Sequence, residues 1–151
     1  MMKKNFKSIA GVTLLEIMLV LAIAAMVIVM SIRYYQNAQN GENSNVIMEM
    51  VQNITAAADN ISVNGGGYSG MTTSTISAIA GTNNMLTPYG GKVTISGANG
   101  GSYVVTMGAV PYAVCSVLVA RLGNSPKYSG LPTCTKATST VFLYTYINAS
   151  G

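Results

Sequence analysis

From Val12 to Ile32 every residue is apolar except Thr13, Glu16 and Ser31, and this run limits what the chain can become more than any other feature. As a helix it is roughly 31 Å long, the thickness of one bilayer core. The segment before it, MMKKNFKSIAG, carries Lys3, Lys4 and Lys7 and closes on Ala10-Gly11. Few charges follow the run directly, so the positive-inside rule places the N-terminus in the cytoplasm and everything after Ile32 outside it. The full 151 residues leave room for one compact domain beyond the span.

Glu16 stands out because a carboxylate inside a membrane helix costs about 2.5–3.5 kcal/mol on insertion scales. No cation on its own helix lies within reach. If the basic segment is cut off before Val12, a new α-amino group on a neighbouring copy supplies a partner. The alternative is that Glu16, only four residues into the span, snorkels to the interface. A competing reading of the whole region is an ordinary secretory signal, since Ala22-Ile23-Ala24 has the small-residue pattern that precedes a cut at Ala25. Glu16 inside the apolar core, and an apolar run that continues through Met30, speak against it.

Composition narrows the chemistry. Half of the residues are hydrophobic and 8% are charged, against the roughly 25% of ordinary soluble domains. The net charge of +4 is mainly a property of the leader. Beyond residue 11, Arg33, Lys92, Arg121, Lys127 and Lys136 face Glu16, Glu42, Glu49 and Asp59, so a general basic face for nucleic acid has little support. The nine tyrosines interleave with few cations, and their simpler surface use is subunit packing. There is no His, and no acid follows Asp59; that excludes a His-based triad, a His-containing zinc site and a carboxylate pair in the C-terminal region. The chain is therefore expected not to be an enzyme, and to use no cofactor and no metal. Gly65-Gly66-Gly67 lacks the strand-to-helix context of a phosphate loop. Asn53, Asn60 and Asn148 head glycosylation-type triplets, which arise by chance in Asn/Ser/Thr-rich chains. Cys115 and Cys134, an even pair in an exported chain, read as one disulfide worth about 3 kcal/mol; in a cytosolic chain they would be two buried thiols.

Past Tyr35 the chain turns polar, with Gly41 as a weak point in any helix that continues. Helical spacing returns at Val46, Ile47, Met50, Val51, Ile54, Ala57, Ala58 and Ile61, which predicts a helix from Val12 to about Ile61, about 75 Å long. Asn64-Gly65-Gly66-Gly67 ends it. A loop region follows to about Thr87, with a short helix around Ser74–Ala80. Lys92–Ser96 and Ser102–Met107 alternate as the strands of a hairpin turning at Gly97–Gly101. Pro111 opens a helix over Tyr112–Leu122 that Gly123 stops, and Thr140–Tyr146 reads as a last strand. The fold class is α+β: one long helix packed on an antiparallel sheet.

The string KSIAG-VTLLEIMLVLAIAAMVIV resembles the class III leader and start of type IV pilins and pseudopilins, in which a basic leader ends in Gly and the fifth residue after the cut is Glu. The tract Pro88-Tyr89-Gly90-Gly91 leading into the hairpin, followed by Val110–Cys115, is similar to type IVb pilins in particular. A Val rather than a Phe at position 12 agrees with that class, although its leaders are usually longer. The resemblance implies that a prepilin peptidase cuts between Gly11 and Val12 and N-methylates Val12. It implies too that Glu16 recruits the chain by pairing with a neighbour's N-terminal amine.

Four segments are expected: a removed leader (1–11), a transmembrane and assembly half of the helix (12–35), an amphipathic half (36–64) and a globular region (65–151). The expected function is a structural subunit of a type IVb pilus serving adhesion, aggregation, motility or conjugative contact. Its partners are copies of itself in a helical filament, the prepilin peptidase, the inner-membrane assembly machinery and, before assembly, the membrane; nucleic acid is not required. The precursor sits in the bacterial inner membrane and the assembled form is extracellular. The alternatives are a pseudopilin or minor pilin of a type II secretion or DNA-uptake machine, and a membrane-tethered binding module that never polymerises.

Overall fold

A computed structural model describes residues 13–80, 85–136 and 140–148, and the expected cleavage site at Gly11 and Val12 lies outside them. Helix α1 runs over Leu14–Gly65. It starts where Thr13 can cap it: the Glu16 N–H donates to the Thr13 hydroxyl at 3.3 Å and to the Thr13 carbonyl at 3.0 Å. The helix passes through Gly41, where the Ser44 hydroxyl donates back to the Gly41 carbonyl at 2.8 Å. It stops at a glycine pair with left-handed backbone, Gly66 and Gly67 (φ 73° and 124°), and the Gly67 N–H closes on the Ser62 carbonyl at 3.1 Å.

The chain forms two units, one ending at Ala38 and the other beginning at Gln39. In the first, every described residue of the helix is exposed. In the second, Ile47, Val51, Ile54 and Ala58 recur at helical spacing and are fully buried. They face an antiparallel sheet of β1 (Val93–Asn99), β2 (Ser102–Val110), β3 (Tyr128–Ser129) and β4 (Thr140–Ile147), ordered β1-β2-β4-β3. The period of two gives the sheet its inner face: Val93 and Ile95, then Tyr103, Val105 and Met107, then Phe142, Tyr144 and Tyr146 are buried. Registers Ile95↔Val105 and Val105↔Tyr144 stack these rows across strands. Between helix and sheet, the Tyr103 hydroxyl donates to Thr55 Oγ1 at 3.2 Å. Two shorter helices complete the unit, α2 (Thr73–Ile79) and α3 (Tyr112–Leu122). The first is capped reciprocally by Thr72 and Thr75. The second buries Val114, Cys115, Leu118 and Leu122.

The sequence-based boundaries differ from these in instructive places. β1 continues through Gly97 to Asn99, where turn chemistry is expected. The Gly97 N–H bonds the Met71 carbonyl at 2.8 Å, and a Cβ at Gly97 would run into the Tyr68 carbonyl oxygen. That glycine marks a close backbone approach, not a turn. β2 reaches Val110 across a bulge in which Ala109 takes a left-handed backbone (φ 56°). β3 is too short to leave a pattern.

The Pro88-Tyr89-Gly90-Gly91 tract is pinned to that bulge. Thr87, buried, accepts the Gly91 N–H on its hydroxyl at 2.9 Å and donates to the Gly108 carbonyl at 3.3 Å. A Cβ at Gly91 would collide with the same carbonyl oxygen.

Candidate functional site: an exposed apolar helix

The surface that most needs a partner is the N-terminal part of α1. Leu14 and Leu15 are 79% and 78% exposed, and even the best-covered large side chain between Leu14 and Ile32, Ile17, is 49% exposed. A helix apolar on all sides belongs in lipid or among other helices, and this one is long and apolar enough to cross a membrane. Its two internal hydroxyl and carboxylate groups are handled differently. Ser31 donates to the Val27 carbonyl at 2.8 Å, so its hydroxyl is satisfied without water. Glu16 lies in the first turn, where the helix dipole favours a negative charge. Among the described residues, no cation reaches the Glu16 carboxylate.

In the sequence Thr13 is a polar interruption at the start of the apolar run. The structure makes it the helix cap, and the signal was present: Thr13-Leu14-Leu15-Glu16 has the spacing of a capping box. The cap fixes where the helix begins, three residues before the carboxylate.

On the second unit, Cys115 and Cys134 are joined in a disulfide with Cα atoms 5.9 Å apart. The bond ties α3 to the segment that follows β3 and so closes residues 115–134 into one loop. The core of the same unit contains a tyrosine cluster. Tyr103 and Tyr146 stack with centroids 4.9 Å apart, and Tyr68 meets Tyr103 edge-on at 5.1 Å. The Tyr68 hydroxyl donates to Asp59 Oδ1 at 2.6 Å, and burial together with that bond pushes its pKa up to about 12. Burial also raises the pKa values of Tyr103, Tyr144 and Tyr146.

The glycosylation-type triplets do not converge: Asn53 and Asn60 lie exposed on α1, and Asn148 follows β4. Gly65 to Gly67 sit at the C-terminal end of α1, the wrong end of a helix for an anion. An open groove of about 490 Å³ between α1 and α2 includes Val46, Glu49, Asn53 and Met85, with one carboxylate and no second acid or Cys.

The arrangement defines a class first: a subunit that presents an unpartnered apolar helix, with a disulfide-closed α+β unit built on the same helix. The comparisons make it specific. The chain is 31% identical over 140 residues to the major structural subunit of bundle-forming pilus of Escherichia coli O127:H6 (strain E2348/69 / EPEC), over 84% of this chain and 72% of that protein. The protein of that name from Escherichia coli O111:H- matches with the same identity and coverage. No family model matches, and no solved structure matches. The chain belongs to the type IV pilin family, on its type IVb side. Its role is that of a structural pilus subunit that assembles into a filament.

Proposed function

We propose that this pilin is the major subunit of a type IVb pilus used for adhesion, aggregation, motility or conjugative contact. The observation that carries the proposal is the apolar helix of the first unit, exposed all round and bearing a single carboxylate in its first turn. The role of the E. coli relatives, major structural subunit of a bundle-forming pilus, supports the major over the minor or pseudopilin reading.

The mechanism is physical rather than chemical. A prepilin peptidase removes residues 1–11 at Gly11 and N-methylates Val12. The precursor then waits in the inner membrane with its N-terminus cytoplasmic and residues 36–64 and 65–151 outside. Extraction by the assembly machinery is offset by burying residues 12–32 among identical helices in the filament. Glu16 is neutralised there by the Val12 amine of a neighbouring copy, a pairing whose strength grows as water leaves the core.

Mass analysis of filaments sheared from cells tests this reading. The chain should begin at Val12, methylated. A chain beginning at Ala25, or cells rich in the protein yet bare of filaments composed of it, would overturn it.

A further inference from the structure

We infer that Arg33, Tyr34 and Tyr35 form a ring that binds the phospholipid headgroups of the outer leaflet and so fixes the depth of Glu16 in the membrane. The inference rests on the membrane-resident precursor of the proposed function. These three residues follow Ile32 without interruption, are helical and are exposed, Tyr34 by 79% and Tyr35 by 62%. Consecutive residues on an α-helix point about 100° apart, so three in a row cover more than half of the circumference. A face made for one partner would repeat at three and four residues instead. A ring suits a helix surrounded by the same medium on every side.

The chemistry matches a headgroup layer. Tyrosine places an apolar ring toward hydrocarbon and a hydroxyl toward water, and concentrates at membrane interfaces for that reason. The Arg33 guanidinium fits phosphate oxygens with two parallel hydrogen bonds. Below the ring the helix is apolar down to Ile17 except for Ser31, whose hydroxyl is satisfied by the Val27 carbonyl; above it come Gln36 and Asn37.

The spacing has a consequence for assembly. From Arg33 down to Glu16 the helix descends about 26 Å. With the ring at the outer edge of a hydrocarbon core about 30 Å thick, Glu16 lies about 4 Å inside the inner edge. Its carboxylate reaches the inner headgroup zone, at the face where neighbouring precursors have their N-termini. The ring thus holds the recruiting carboxylate at the level of the amines it is to meet.

The chain contains no Trp, so Leu19→Trp provides the sole indole. The full membrane-resident protein carrying it is reconstituted in phosphatidylethanolamine–phosphatidylglycerol vesicles with bromine at defined acyl positions, and quenching gives the indole depth. The expected depth is about 6 Å from the midplane. Replacing the ring with Arg33→Leu, Tyr34→Leu and Tyr35→Leu lengthens the apolar run by three residues. The helix then slides toward the cytoplasmic side, and the indole moves to about 10 Å from the midplane. Arg33→Lys alone, which keeps a cation at that level, leaves the depth at its parental value. An indole that does not move when the ring is replaced overturns the proposal, and if filaments are lost as well, the three residues serve packing between copies instead. An indole that no brominated lipid quenches refutes the membrane reading itself, a different failure.

Discussion

Alkali attacks this fold through its tyrosines. Tyr68, Tyr103, Tyr144 and Tyr146 all have pKa values raised above the ordinary 10, with burial the largest cause in each case. A phenol whose folded pKa lies above its unfolded one favours the folded state while it stays protonated. That contribution is complete below pH 10 and is lost as the pH climbs through the folded values, about 12 for Tyr68. In that window each phenol that ionises only on unfolding lowers stability by about 1.4 kcal/mol per pH unit. Counting only Tyr103 and Tyr144, both fully buried, the loss is about 3 kcal/mol per unit. Each such unit is already a large share of the whole stability of a small domain. Tyrosinate absorbance near 295 nm and near-ultraviolet circular dichroism, followed together from pH 8 upward, should show the buried phenols ionising as the tertiary signal collapses, between pH 10 and 12. If every tyrosine ionises while the tertiary signal survives, the reasoning fails. Tyr144→Phe provides a control within the same core. Its hydroxyl finds no partner among the described residues, so the variant should gain about 1 kcal/mol at neutral pH and decline less steeply in alkali.

The other perturbations probe particular joints of the structure. Cys115→Ser removes a cross-link over a sequence separation of 19, worth about 3 kcal/mol, and should lower pilin levels on immunoblots through degradation. Wild-type protein should show no alkylatable thiol and migrate faster on non-reducing than on reducing gels. Gly91→Ala drives a methyl group into the Gly108 carbonyl oxygen and should cost about 3 kcal/mol or more in thermal or chemical melts. Gly41→Ala, at a mid-helix position where a Cβ meets nothing within 4 Å, should instead stabilise by about 0.5–1 kcal/mol in the same assay.

How far the sequence could be followed depended on whether the information was local. The apolar run, the buried stripe from Ile47 to Ala58 and the alternation of β1 and β2 are periodic, and each shows directly in the elements formed. The limits of α3 follow from Pro111 before it and Gly123 after it, and coincide with the expected Tyr112–Leu122. What could not be read is set by contact across the chain. Gly97 looks like a turn residue until the loop carrying Tyr68 and Met71 is placed against it. The bulge at Gly108 and Ala109 exists because Thr87 and Gly91 dock there. β3 is defined only by its pairing with Thr145 and Tyr146. Within the candidate assembly surface, Glu16 was legible because a charge in an apolar run is conspicuous. Thr13 was less so, since a capping threonine resembles any other polar residue until the helix start is known.

The central claim is that Glu16 serves assembly and not insertion, and Glu16→Val separates the two. Valine removes whatever insertion cost the carboxylate carries near the inner edge, below the about 2.5–3.5 kcal/mol of a charge at the helix centre, so the variant should enter the membrane and lose its leader at least as well as the wild type. Counting filaments by electron microscopy on cells with matched levels of processed protein is the decisive measurement. Glu16→Val cells should hold abundant membrane-resident pilin and bear no filaments; normal numbers of filaments would show that the carboxylate is not needed for assembly.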